Sequence, residues 1–153
     1  MSERFKFSDA RREFSSVYDR VSGEGASVVV ERRGSPAVAI VPLDQLRADL
    51  AALYRFASEV MFEDDGSVSV WLPELALYGR GEDLDDAIDD LVDEVEDYIE
   101  DWYARLRHAP NHAARSGWVR RIELAEDRNE LRSMLFEPPP AAMTDTGDSV
   151  NAA

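Results

Sequence analysis

The chain has 153 residues, a net charge of −15 and no cysteine. That length fits one ordinary domain or two very small ones, and the missing cysteines exclude disulfides, thiolate chemistry and cysteine-ligated zinc. No apolar run approaches the ~20 residues of a membrane helix, and the opening MSERFKFSDARREF lacks the apolar core of a signal peptide, so the expectation is a cytoplasmic protein with no membrane partner.

The charge is uneven along the chain. Residues 1–50 carry eight basic and eight acidic residues, whereas the remainder carries nine basic and 24 acidic. Such asymmetry is expected when two halves face different partners. In residues 8–21, Ala10, Phe14, Val17, Tyr18 and Val21 recur at helical spacing, with Ser8 as N-cap and Asp9 at the positive end of the helix. Gly23-Glu24-Gly25 ends that helix. Val28–Val30 and Ala37–Val41 then read as two strands of a hairpin, with Arg32-Arg33-Gly34-Ser35-Pro36 as its bend. Pro42 stops the second strand, and Asp44 caps a helix running through Leu46, Leu50, Leu53 and Tyr54.

A second β region follows. Ala57–Phe62 reads as a strand, Glu63-Asp64-Asp65-Gly66 as a turn, Ser67–Leu72 as a half-buried strand ended by Pro73, and Leu75–Gly79 as a further short strand. Residues 82–107 form the clearest helix, with Leu84, Ala87, Ile88, Leu91, Val92, Val95, Ile99, Trp102, Tyr103 and Leu106 in one apolar stripe. Twelve acidic residues and no basic one lie between Glu82 and Asp101. After a break at Pro110-Asn111, Trp118–Leu124 reads as a strand and Asp127–Phe136 as a short helix; residues 138–153 have the composition of a disordered tail.

Nothing in the chain has the pattern of a catalytic centre. His108 and His112 have the spacing of two ligands on one helix face, but Pro110 interrupts any such helix. Carboxylates in a solvated row are not a poised acid–base pair, because nothing separates their pKa values. The expectation is therefore a protein that is no enzyme and uses neither cofactor nor metal. Trp71, Trp102 and Trp118 read as core or interface anchors.

Residues 5–43 carry a recognisable order: a short strand, the helix FSDARREFSSVYDRV, a glycine loop, a strand, the Arg-Arg-Gly-Ser-Pro bend, and the strand Ala-Val-Ala-Ile-Val. This set resembles the N-terminal domain of the Phd/YefM (prevent-host-death) antitoxins. The resemblance implies a homodimer, or a higher assembly, that binds a palindromic operator. It implies DNA-binding roles for Lys6, Ser8, Arg11, Arg12, Arg32 and Arg33. Arginine pairs bidentately with guanine edges, and residues at a hairpin bend are well placed to grip phosphates. Ordinary solubilising charge is the plain alternative for these side chains.

Residues 59–91 carry a second resemblance, to the HicB-type antitoxin core, through Asp65-Gly66, Pro73-Glu74-Leu75, Gly79, Gly81 and Glu82-x-Leu84-x-x-Ala87. It implies a β-β-β-α unit. The expected class is thus α+β: a Phd/YefM-like strand-helix-hairpin-helix domain at 1–54, a HicB-like unit at 55–107, a possible toxin-binding extension at 108–137 and the tail at 138–153. The function implied is that of an antitoxin of a type II toxin–antitoxin system. Such a protein neutralises a basic toxin encoded nearby and represses its own operon. Asp86, Asp90, Asp93 and Asp97, with Trp102 and Trp118 as anchors, are the expected partner contacts, since an acidic face steers and selects a basic partner. The alternative is an acidic adaptor protein on a Phd-like scaffold that binds no DNA.

Overall fold

Two three-stranded sheets and six helices organise residues 1–137, which are the residues described by this computed structural model. The tail expected at 138–153 lies outside them.

The first sheet joins β1 (Glu3–Lys6), β2 (Val28–Glu31) and β3 (Val38–Ile40) in that order. β1 runs parallel to β2, with Phe5 opposite Val30, and β2 runs antiparallel to β3, with Val30 opposite Val38. A parallel pair needs a crossover, which α1 (Phe7–Arg12) and α2 (Phe14–Glu24) supply. Gly25 closes α2 at φ 67°, a left-handed conformation that costs glycine little. Ala10, Val17, Val21, Val28 and Val30 make a small core, with Phe5 and Ile40 packed at its edge.

The single helix expected over 8–21 is in fact two. Glu13, at φ −109° and ψ 30°, breaks it, although the Glu13 N–H still donates to the Asp9 carbonyl at 2.9 Å. Phe14 and Tyr18 share α2 with buried Val17 and Val21 but fall at the edge of that stripe, and both stay exposed. Ser8 is not the N-cap. β1 passes straight into the helix, so extended Lys6 takes the N-cap position without a side-chain cap and Ser8 is the second helical residue. Asp44 is likewise inside its helix: α3 (Leu43–Leu53) begins after Pro42, and Asp44 sits in the first turn, where a carboxylate suits the helix dipole.

The second sheet joins β4 (Glu59–Phe62), β5 (Val68–Leu72) and β6 (Leu77–Gly81), all antiparallel. β4 starts two residues later than expected, because the Ala57 N–H is held by the Glu74 carboxylate at 2.8 Å and the Ser58 hydroxyl donates to the Leu135 carbonyl at 2.7 Å. The third strand is shifted in the same direction: the turn at Pro73–Ala76 occupies its expected start and buries Leu75 there. α4 (Leu84–Ala104) is capped by the Asp83 side chain, which accepts from the Asp86 N–H at 2.9 Å. Two glycines seat α4 on β6. A Cβ at Gly79 would stand 2.2 Å from the Ala87 carbonyl oxygen, and one at Gly81 would stand 2.4 Å from the Ala87 nitrogen.

Two short 3-10 turns lead from α4 to α5 (Ser116–Glu123) and α6 (Arg128–Leu135). The strand expected at Trp118–Leu124 is helical. Its apolar run is too short for periodicity to distinguish strand from helix, and the contacts decide: Val119 and Ile122, three apart, both enter the large core. That core gathers Val68, Val70 and Leu72 of β5, Leu91, Val92 and Val95 of α4, and Leu131 and Leu135 of α6. The helix expected at 127–136 is α6, capped by Asp127 through the Glu130 N–H at 2.8 Å.

α3 packs against α5. Arg121, 5% exposed, fixes that joint: it donates to the Tyr54 carbonyl at 2.5 Å, pairs with Glu137 at 2.5 Å and lies over the Phe56 ring. A buried guanidinium is tolerable because it is both paired and hydrogen-bonded.

Candidate functional site

The end of β1, the start of α1 and the β2–β3 bend meet at one corner of the first sheet. There a shallow depression of about 560 Å³ is lined by Lys6, Phe7, Ser8, Glu31, Arg32 and Arg33. The Arg32 guanidinium lies over the Phe7 ring, 4.8 Å from its centroid, an arrangement that holds a cation without neutralising it. Glu31, the one acid on the rim, pairs with Arg4 across the strands. Among the described residues Lys6, Arg11, Arg32 and Arg33 form no ion pair. Arg12 differs, meeting Asp9 at 3.2 Å and Glu13 at 3.9 Å. Of the six expected DNA-binding residues the structure therefore gathers Lys6, Ser8, Arg32 and Arg33 in one depression, sets Arg11 on the other side of Phe7, and ties Arg12 to neighbouring acids.

Arg11 borders a second, apolar groove of about 300 Å³ lined by Phe7, Ala10, Phe14, Val30, Val38 and Ile40. Phe14 is 55% exposed, and Tyr18 and Val38 60%. Sequence reading missed this face. Helical spacing puts Phe14 and Tyr18 in the core stripe, and the one signal for Phe7 is the alternation Phe5-Lys6-Phe7.

The acidic helix has two flanks of different character. On one, Arg128 of α6 reaches Asp93 at 2.7 Å and Glu96 at 3.1 Å, while Arg132 meets Asp85 at 3.2 Å and also Asp89. The hydrogen bond that Arg128 donates to Asp93, and then the field of Asp93, Glu96 and Asp89, hold the guanidinium above its ordinary range. On the other flank Asp86, Asp90, Glu94 and Asp97 follow one another at spacings of three and four, so they share one row. Asp90 accepts the backbone N–H of Arg80 at 2.8 Å. Asp86, Glu94 and Asp97 form no ion pair among the described residues. At the C-terminal end Asp101 accepts from Arg105 at 2.7 Å, which lowers the aspartate pKa.

The expected partner contacts thus separate. Asp86 and Asp97 are free and exposed, Asp90 is partly engaged, and Asp93 is taken by Arg128. Trp102 is buried in the large core, because it falls on the apolar stripe of α4, so it presents no surface to a partner. Trp118 is half-buried between Tyr54 and Phe56, at 5.2 and 5.1 Å between ring centroids.

His112 is also in use. Its Nδ1 lies 2.8 Å from the Tyr98 hydroxyl, beside Arg115, and this cluster fastens the connection after α4. Among the described residues no group of three or more His, Asp or Glu is placed to hold a metal ion, and no helix is long and apolar enough to cross a membrane.

The structure thus combines a mixed α+β fold with a cationic corner on one sheet and an acidic helix on the other. The comparisons with known proteins give the family. Residues 1–137 match the model of a PHD-like family described as the antitoxin of a toxin–antitoxin, RelE/RelB, system, and the chain belongs to that family. Among solved structures, it resembles the crystal structure of an antitoxin part of a proposed toxin/antitoxin system from Syntrophomonas wolfei subsp. wolfei. The two share 18% identity at a TM-score of 0.71, over 88% of this chain and 96% of that one. No curated protein sequence matches the chain.

Proposed function

We propose that this antitoxin binds operator DNA as a homodimer through its first sheet, represses its own operon, and neutralises a basic toxin through its acidic half, in the manner of Phd/YefM-type proteins. The observation that carries the DNA reading is the corner at Lys6, Ser8, Arg32 and Arg33. Its cations form no ion pair among the described residues and lie in the first 50 residues, which carry no net charge, so phosphates meet a local positive patch there rather than the field of the acidic remainder.

The same module's packing supports the dimer. Its core holds five buried residues, too few for a unit of this size to be comfortable alone. Its apolar groove, together with exposed Phe14, Tyr18 and Val38, is a surface whose burial against a second copy would add the missing area. A two-fold pair then presents two cationic corners to two half-sites.

A gel shift of the protein on its own upstream DNA tests this reading. The expected result is binding that weakens steeply with salt and is lost in the double variant Arg11→Ala, Arg33→Ala. The second reading, an acidic adaptor that ignores DNA, is favoured by the unpaired row of Asp86, Glu94 and Asp97. It wins if the wild-type protein leaves the fragment unshifted at low salt. The toxin half is tested by co-expression with the toxin encoded beside it, where growth rescue and a co-purifying complex are expected.

A further inference from the structure

The two edges of the second sheet are unequal. β6 lies under α4, and its outward Arg80 N–H is held by Asp90. β4, the opposite edge, is bare. The hairpin bond from the Glu63 N–H to the Ser67 carbonyl fixes the alternation, so Met61 and Glu59 bond inward to β5 while the backbone groups of Val60 and Phe62 point outward. Nothing among the described residues pairs with them.

The glycines explain the imbalance. Gly79 and Gly81 let α4 sink onto β6, which leaves the β4 end of that face uncovered. There Val60 and Phe62 project side by side, 38% and 79% exposed. Glu59, Glu63 and Asp64 surround them without an ion pair among the described residues, while Asp65 is satisfied by Ser67 and Arg80.

We infer that β4 is a docking edge for an extended basic segment of the toxin, one alternating apolar residues with Lys or Arg, which adds to the second sheet as a fourth strand. The claim rests on the toxin-binding half of the function proposed above. Outward N–H and C=O groups call for a strand rather than a helix. The Val60 and Phe62 shelf calls for apolar residues at every second position. The three unpaired carboxylates select positive charge between them and disfavour a second acidic copy of this chain. Natural sheets usually guard an open edge with a lysine, a proline or a bulge, and β4 has none.

The test is amide hydrogen exchange followed by NMR on the full chain, with a defined probe: the capped peptide Lys-Val-Arg-Val-Lys-Ile-Arg-Val. In the free protein the Val60 and Phe62 amides are expected to exchange about tenfold or more faster than Met61. Excess peptide is expected to slow both by about tenfold. The same peptide N-methylated at alternate residues, and its Glu/Asp counterpart, are expected to do nothing. Protection already present in the free chain means that the chain's own segments or a second copy fill the edge, and overturns the inference; so does protection elsewhere, equal protection by the acidic peptide, or none.

Val60→Pro removes an outward N–H and part of the apolar shelf while leaving the inward bonds to β5 in place, and is expected to abolish the effect. Phe62→Lys, on the exposed side, serves the same purpose without touching the backbone. Growth rescue from the toxin separates this inference from the reading beneath it. Loss of rescue in both variants, with operator binding intact, supports the edge. Full rescue by both variants overturns the edge and leaves the antitoxin reading standing. Failure of the wild type overturns toxin neutralisation itself, and the peptide result then decides the edge alone.

Discussion

The two sheets have three strands each, yet they meet solvent in opposite ways. The first is covered on one side by α1 and α2, carries a five-residue core and leaves phenylalanine, tyrosine and valine exposed around an apolar groove. The second is clamped by a 21-residue helix and backed by α5 and α6, with a core about three times as populous. Its surplus negative charge is partly balanced from within by Arg128 and Arg132. One module is short of burial and electrically neutral, which suits a self-associating unit that approaches DNA. The other is self-sufficient in burial and acidic, which suits a rigid platform for a basic partner.

The sharpest way to break that contrast is to damage the platform. Gly79→Ala puts a methyl group against the Ala87 carbonyl and the Leu91 nitrogen, both backbone atoms that cannot swing aside. The expected cost is about 3 kcal/mol, or a Tm lower by about 10 °C in a thermal melt. An unchanged Tm would mean that α4 is not held where it lies.

The next effect falls on the other sheet. Phe14→Asp places a charge on the exposed apolar face while leaving the small core untouched. The expected outcome is a dimer dissociation constant about 100-fold weaker by analytical ultracentrifugation, with Tm at low concentration little changed. Equal self-association in wild type and variant would remove the assembly surface from the first sheet.

This comparison also marks what was legible in the sequence. The crossover order of the first module and the β-β-β-α order of the second could be read from turns and periodicity, because Gly25, Gly66 and Pro73 punctuate them. Two kinds of feature could not. Phe14 and Tyr18 obey the same helical spacing as Val17 and Val21 and share α2 with them, yet they fall at the edge of the stripe, which spacing alone does not distinguish from its centre. Trp118–Leu124 is too short to betray its period, and its helical state depends on contacts with Tyr54 and Phe56, more than 60 residues earlier in the chain. The cationic corner was legible one arginine at a time. Its assembly with Lys6 and the stacking on Phe7 required the parallel pairing of β1 with β2. The acidic run was legible as charge, but its internal neutralisation by α6 was not, since Arg128 and Arg132 lie more than 30 residues away.

Arg33→Ala sharpens the DNA side. If Arg33 contacts one phosphate, affinity for the operator falls and the slope of log K against log salt drops by about one. If it reads a base, the loss is about tenfold or more and falls on the specific site alone. A gel-shift titration over several salt concentrations separates the two, and an unchanged curve removes Arg33 from the interface. Arg12→Ala, already engaged by Asp9 and Glu13, is expected to do less.

On the acidic helix, the two flanks are expected to respond differently to single changes. Arg128→Ala leaves Asp93 and Glu96 as uncompensated neighbours and is expected to lower stability by about 1 kcal/mol, less in high salt, since the network is partly exposed. Asp97→Asn removes a charge with no ion-pair partner. Stability is expected to hold or rise slightly, while association with a basic toxin slows, measured by stopped flow at low salt. Equal stability losses in the two variants would erase the distinction between flanks.

The smallest effect is a matter of sign. Burial raises the Glu123 pKa, whereas Asp101 is lowered by the hydrogen bond from Arg105. For Asp101 the folded state favours the charged form, so its contribution is present above the ordinary aspartate range and fades as pH falls through the lowered value. For Glu123 the folded state favours the neutral form, so its contribution is present below the ordinary glutamate range and is lost as pH rises through the raised value. Glu123→Gln keeps the neutral shape at every pH. It is therefore expected to raise Tm by about 1 °C or less at pH 7 and to change nothing near pH 3. Asp101→Asn is expected to lower Tm slightly at pH 7 and likewise to change nothing in acid. If Glu123→Gln lowers Tm at pH 7, the carboxylate is holding a contact on α5 rather than suffering from its surroundings.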